Sequence, residues 1–329
     1  LACLAYTVLV GDFLSKALKG LLPGMLALHS RGVDLALVAI LLLVPLSLLK
    51  DLSPLRFSSL AGLAATAYGF MLLTSDCATQ VSFGDPAGPL LQNFMPMRVD
   101  FFSALALLSS AFMAHYNSPK FYADLQDNTM PRFGQLVLGA FGLAFAAFAV
   151  FALAGFGLFG FGVEGNVLKN YGGGTKALLA WLGMAFSVIF TYPLVFSTFR
   201  DSSDALLRRL GVVSDASSPG FRTPFTVMAV AVTALGGAVF SDVAVVNGIK
   251  GAVLSSCLAF VYPAIIHLRL TDPANAGGEP SKAPSSKAMR AASYALIGVG
   301  LVAGVLALLA MFVLPRTDFS KFVKGGPTM

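Results

Sequence analysis

Nine stretches of this sequence are each apolar for about the length that a helix needs to cross a bilayer. They are Leu1–Leu22, Val33–Leu49, Phe57–Thr74, Phe101–His115 with its flanks, Gln135–Phe161, Lys176–Phe199, Thr223–Phe240, Val243–Leu270 and Ala291–Leu314. About 20 mainly apolar residues span the hydrocarbon layer as a helix. In lipid no water receives backbone N–H and C=O groups, so each segment must satisfy them internally, which predicts helices and excludes open strands. The expected fold class is all-α, a polytopic membrane protein. Composition agrees. Hydrophobic residues make up 57% and charged residues 12%, against about 25% charged in soluble domains. A soluble chain of 329 residues could not cover that apolar surface, whereas a bilayer removes the need.

The connections are short and polar. Leu49 to Pro54 joins the second and third stretches. Asp76–Asp100 is rich in Pro, Gly and Asp, and Glu164–Thr175 contains Gly172, Gly173 and Gly174. Thr271–Lys287 is a Gly/Pro/Ser/Lys run with no apolar pattern and is expected to be flexible. Lys and Arg favour the side that holds the Arg200–Arg222 loop, which places that loop in the cytoplasm. Leu1 then begins its helix at the cytoplasmic end, and the C-terminus faces outward or into a lumen. Net charge is +6, but the basic residues lie between apolar runs with no clustered basic face. They read as topology signals beside anionic headgroups, not as a nucleic-acid surface. Cys3 and Cys257 lie in apolar runs and Cys77 in an expected loop. No disulfide framework or CxxC metal pattern is present.

Ionisable and polar groups at membrane depth are functional candidates by default. None here forms an enzyme constellation. His29, His115 and His267 are far apart, and no HExxH, GxSxG, P-loop or paired-carboxylate pattern occurs. The fourth stretch is unusual. A short apolar run passes into Ser109, Ser110, Ala111, Phe112, Met113, Ala114 and His115, as a broken helix would, with backbone groups freed for substrate and ions. The alternative is a plain helix end. In the sixth stretch Ser187 and Thr191 are four apart on one helix face, and Pro193 frees the carbonyl of Ile189. Hydroxyls and freed carbonyls are hard oxygen ligands that suit Na⁺. The alternative is hydroxyls that bond back to carbonyls one turn earlier and merely bend the helix. Asp12 has Lys16 four residues on, a mildly stabilising pair, and is a possible proton-coupling group. Tyr6 lies on the same helix and lines a cavity or packs. Gly248 and Gly251 would let the eighth stretch approach a neighbour closely.

Several strings resemble the amino acid/auxin permease family, which includes the sodium-coupled neutral amino acid transporters. Ala5-Tyr6 through Gly11-Asp12-Phe13-Leu14 resembles its third helix. Pro45 to Leu52 resembles its turn after the fourth, and Ala111 to His115 with Tyr122-Ala123-Asp124-Leu125 its sixth. Thr191-Tyr192-Pro193 with Arg200 resembles its eighth helix, and Gly248, Gly251, Phe260 and Tyr262-Pro263 its tenth. The resemblance implies a LeuT-type inverted-repeat fold, with about nine of eleven transmembrane helices present and the first two missing. Residues 1–74 would end the first repeat, 101–270 form the second, 271–290 a flexible cytoplasmic loop and 291–314 an extra helix. It implies amino-acid transport, by cation-coupled symport and alternating access, with Na⁺ or H⁺ as the coupling ion and no other cofactor. Ser110, Ala111, Phe112, His115 and Tyr6 would contact the substrate. Thr191 and Ser187 would hold sodium, and Asp12 could carry a proton. The expected partners are an amino acid and the lipid bilayer, in a plasma or vacuolar/lysosomal membrane. A sensor that binds an amino acid and signals without flux is the alternative. A membrane enzyme and a channel are disfavoured, since neither a catalytic cluster nor a filter motif appears.

Overall fold

A computed structural model describes residues 1–21, 30–49, 56–81, 100–114, 118–211, 219–272 and 286–312. Those residues are helical almost throughout, and no strand occurs among them. The helices are α1 (Ala2–Leu21), α2 (Arg31–Leu48), α3 (Arg56–Gln80), α4 (Asp100–Ala111), α5 (Ser118–Asp124), α6 (Met130–Phe159), α7 (Thr175–Arg209), α8 (Pro219–Val239), α9 (Val243–Leu270) and α10 (Lys287–Phe312). Seven of these are long and apolar enough to cross a membrane: α2, α3 and α6 to α10. The other two expected spans are helical but fall short. α1 carries Asp12, Lys16 and Lys19, and α4 has 12 residues.

Helix boundaries depart from the sequence reading where polar residues can still be satisfied within a helix. α3 continues past Thr74 to Gln80 because Thr74, Ser75 and Thr79 turn their hydroxyls back onto the carbonyls of Phe70, Leu72 and Ser75. Cys77, expected in a loop, is therefore a buried helical residue. Each of two prolines sits just past a widened π turn. Ala39–Leu43 precedes Pro45 in α2, and Cys257–Val261 precedes Pro263 in α9. A proline lacks the N–H that would bond four residues back and crowds that carbonyl, and the wider turn relieves both. The expected loop at residues 271–290 lies largely outside the described residues.

The chain divides into two units. The first comprises Leu1–Asn93 and Val150–Val246. Here α1 is central and packs against α2, α7 and α8, while α3 packs on α7. Val8, Val10, Leu35, Leu43, Tyr192 and Phe196 are almost wholly buried between them. Between apolar helices in lipid, association rests on close packing and hydrogen bonds rather than on expelling water. The close packing is visible at Gly237 of α8, where a Cβ would lie 2.7 Å from the Thr7 hydroxyl of α1.

The second unit comprises Phe94–Ala149 and Asn247–Met329. α4 packs on α10 and on the first π turn of α9, Gly251–Ser255. A Cβ on Gly251 would collide with the carbonyl oxygen of Ala106 in α4. Only glycine permits that backbone contact. Leu138, Leu143 and Phe145 of α6 are exposed, as suits a lipid-facing helix.

Candidate functional site

Ser187 and Thr191 lie on α7, half-buried, six and two residues before Pro193. Thr191 donates its hydroxyl proton to the Ser187 carbonyl at 2.7 Å. That is the back-bond of a bent helix. It also fixes the hydroxyl's lone pairs away from the helix axis, the polarity that a cation ligand needs. Ser187 faces α3 at Gly62, where a Cβ would sit 2.7 Å from Ser187 Oγ. The missing side chain at Gly62 is what leaves room for that hydroxyl.

A polar chain crosses the first unit near Tyr6. Thr7 of α1 donates to the Thr233 carbonyl of α8 at 2.7 Å. Thr233 Oγ1 donates to the Val230 carbonyl at 3.0 Å. Its proton is thereby used, so Tyr192 of α7 donates to Thr233 Oγ1 at 2.7 Å. Tyr6 itself is half-buried and packs against the apolar core.

The local pair of Asp12 and Lys16 does not form. Lys16 Nζ donates to the Lys169 carbonyl at 2.7 Å and lies 5.5 Å over the Trp181 ring. Asp12 is 4% exposed and pairs with Arg31, the first residue of α2. The reason is reach. Lys16 is one turn nearer the helix end and meets the 163–174 connection, whereas the planar Arg31 fork enters from α2 and serves several acceptors at once. Arg31 Nε donates to the Gly237 carbonyl at 3.0 Å, and Nη2 to the carbonyls of Val8 and Phe240 at 3.0 and 3.2 Å. It thus caps the carbonyl end of α8, where the helix dipole favours a cation. Asn166, also buried, donates Nδ2 to the other Asp12 oxygen at 3.3 Å. Both carboxylate oxygens therefore hold donors.

The 163–174 connection between α6 and α7 looked like a glycine-rich linker. It is a strap tied down along its length. Trp181 Nε1 donates to the Leu168 carbonyl at 2.9 Å, Lys169 pairs with Glu164 at 3.1 Å, and the Tyr171 hydroxyl donates to Asp76 at 3.0 Å. Burial and the Asp76 carboxylate both push the Tyr171 hydroxyl well above its ordinary pKa, so it stays a donor. Gly173 and Gly174 adopt positive φ of 143° and 94°, open to glycine alone, and turn the strap into α7. Sequence reasoning missed Arg31, Asn166 and Asp34. The last is a buried carboxylate of α2 that accepts from Ser15 Oγ at 3.1 Å.

The other end of the same helices carries a second arginine cluster. Arg200 of α7, 9% exposed along its side chain, donates Nη1 to the Ser47 carbonyl at 2.8 Å. Arg222 of α8 donates Nη2 to the Leu49 carbonyl at 3.1 Å. Both cap the carbonyl end of α2. α2 and α8 are thus antiparallel, each with its C-terminus held by arginine from the other's starting end. Ser47 Oγ and Thr226 Oγ1 are buried without a hydrogen-bond partner among the described residues.

In the second unit α4 stops at Ala111, immediately after Ser110. Phe112 stacks on Phe141 at 6.1 Å and meets Phe148 edge-on at 5.3 Å. His115 lies outside the described residues. Ser109 borders a small cavity with Ala106, Ser256 and Phe260. No group of His, Cys, Asp and Glu suited to a metal ion occurs among the described residues.

The family model described as transmembrane amino acid transporter protein matches residues 1–312. The chain belongs to this family. It is an integral membrane protein of a transporter family. Among its relatives, a Danio rerio protein named "Putative sodium-coupled neutral amino acid transporter 11" is 25% identical over 83% of this chain and 60% of its own length. Mus musculus solute carrier family 38 member 8 is 25% identical over 79% of this chain and 62% of its own. Xenopus laevis sodium-coupled neutral amino acid transporter 7 is 23% identical over 82% and 62%. The chain therefore spans about three fifths of the length of these relatives.

Proposed function

We propose that the protein containing this chain carries out secondary active transport of amino acids, by cation-coupled symport and alternating access. The observation that carries the reading is the match to a transporter family across residues 1–312. The relatives' names add sodium coupling and neutral amino acids as the preferred cation and substrate. The fold in this reading is the LeuT-type inverted repeat. α1 and α4 would complete the seven apolar helices to nine spans, with residues 1–74 ending the first repeat and 101–270 forming the second.

The roles follow from the chemistry of each group. Thr191 and Ser187 supply hydroxyl oxygen to the cation, with the Ile189 carbonyl freed by Pro193. Backbone groups where α4 ends, at Ser110, Ala111 and Phe112, would receive the zwitterion, since helix ends favour opposite charge; His115 and, in the first unit, Tyr6 are separate candidates for substrate contact. Asp12 holds Arg31 and Asn166 in place in this reading, and sodium is the coupling ion. One charge moved inward across 100 mV yields about 2.3 kcal/mol, enough to bias uptake.

Uptake of radiolabelled neutral amino acids into vesicles that carry the full-length protein tests this. Sodium-dependent uptake is expected. Uptake indifferent to any cation gradient would reject symport. Thr191→Ala should raise the sodium concentration for half-maximal uptake about tenfold, the loss of one good ligand of about 1.4 kcal/mol. An unchanged sodium requirement would remove Thr191 from the ion site.

A further inference from the structure

The two arginine clusters of the first unit differ in how their charge is balanced. Arg31 makes four hydrogen bonds and has the buried carboxylate of Asp12 as counter-charge. Arg200 and Arg222 together make two, both to carbonyls of one helix end. Each guanidinium carries five N–H donors, so most of theirs are unspent among the described residues. A helix C-terminus offers roughly half a negative charge, and the carboxylates beside these two cations are those of Asp201 and Asp204, further along α7. Asp201 approaches Arg200 Nε only to 3.8 Å, with its side chain 73% exposed. That distance is too long for a hydrogen bond. A cation as buried as Arg200 needs a closer partner.

We propose that this end of the unit binds a phosphate monoester, with the phosphate on the rim between the Arg222 fork and the outer edge of Arg200. Planar guanidinium forks match phosphate oxygens two at a time. The site lies at the end of α2, α7 and α8 that the Lys and Arg distribution assigns to the cytoplasm. The cytoplasmic leaflet is the anionic one, and basic pockets between helices there suit phospholipid headgroups. The same chemistry would accept soluble phosphate, and the experiment separates the two sources. The inference stands apart from the transport reading, because lipid binding needs no flux.

The probe is phosphatidic acid in phosphatidylcholine vesicles. The full-length protein is reconstituted, extracted gently and weighed with bound lipid by native mass spectrometry. The wild type should retain phosphatidic acid, and R200Q/R222Q should retain it roughly thirty-fold less, at about one unit of surface attraction per arginine. R208Q/R209Q removes the same formal charge from the last turn of α7 and should retain it like the wild type. If R200Q/R222Q does not fold, R222Q alone, at a half-buried position, should lose roughly five-fold. Inorganic phosphate added to the phosphatidic acid vesicles forms the second arm. Phosphate that displaces the bound lipid assigns a soluble ligand to the same site, and lipid retained against it assigns the headgroup. Equal retention by wild type, R200Q/R222Q and R222Q would overturn the proposal. Equal loss in R200Q/R222Q and R208Q/R209Q would overturn it too, since diffuse surface charge would then suffice.

Discussion

The two ends of the α2–α8 pair solve one problem in two ways. At both ends arginine reaches the last carbonyls of a helix, Arg31 those of α8, and Arg200 and Arg222 those of α2. At the Arg31 end a buried carboxylate and Asn166 complete the arrangement. At the Arg200 end two cations share one helix terminus, and two buried hydroxyls nearby have no partner among the described residues. The comparison teaches that capping alone does not make an end rigid. A guanidinium whose charge is matched inside the protein holds its neighbours strongly, because each member loses its counter-charge if the other goes. A guanidinium that holds carbonyls alone leaves no buried charge behind when it is removed.

That contrast can be broken from its strongest point. Asp12→Asn leaves Arg31 without its counter-charge and should cost about 3–5 kcal/mol, the usual effect of orphaning a buried charge. Thermal unfolding in detergent would read it, and a loss near zero would mean that Arg31 simply finds water. Asn166→Ala removes one hydrogen bond to a charged group and should cost about 1.5–3 kcal/mol by the same measurement. It should also speed proteolysis within residues 163–174, as the strap loosens. Arg200→Gln at the opposite end should cost less, about 1–1.5 kcal/mol, since it removes a bond to a neutral carbonyl and orphans no carboxylate. Thr226→Val should be neutral or stabilise by up to about 1 kcal/mol, because it removes an unpartnered buried hydroxyl at nearly constant volume. A clear loss from Thr226→Val would show that this hydroxyl has a partner and would erase the difference between the two ends.

Much of the fold was legible because its cause is local. Apolar run length specifies helices wherever lipid is the solvent, and the helical course of α6 to α10 follows from it. The close approach at Gly251 was legible for a similar reason, since a glycine in an apolar helix has few uses besides contact. The helix ends were less so. Thr74 closes its apolar stretch and Thr79 reads as a loop residue, yet the hydroxyls of Thr74, Ser75 and Thr79 are satisfied inside α3, which runs on to Gln80. The polar knot was hidden for another reason. Spacing along one helix proposes Lys16 for Asp12. The partner in the folded chain is Arg31, the first residue of the next helix. Asn166 was hidden by its glycine-rich surroundings, where nothing marks one side chain as buried. Long-range polar pairs leave no periodic trace, so only the packed chain reveals them.

A double-mutant cycle on Asp12 and Arg31 tests the central claim most directly: that this carboxylate exists to hold that arginine. Unfolding of wild type, D12N, R31Q and D12N/R31Q should give a coupling of about 2–3 kcal/mol, while the same cycle with Asp12 and Lys16 should give a value near zero. A large coupling to Lys16 and none to Arg31 would contradict the account.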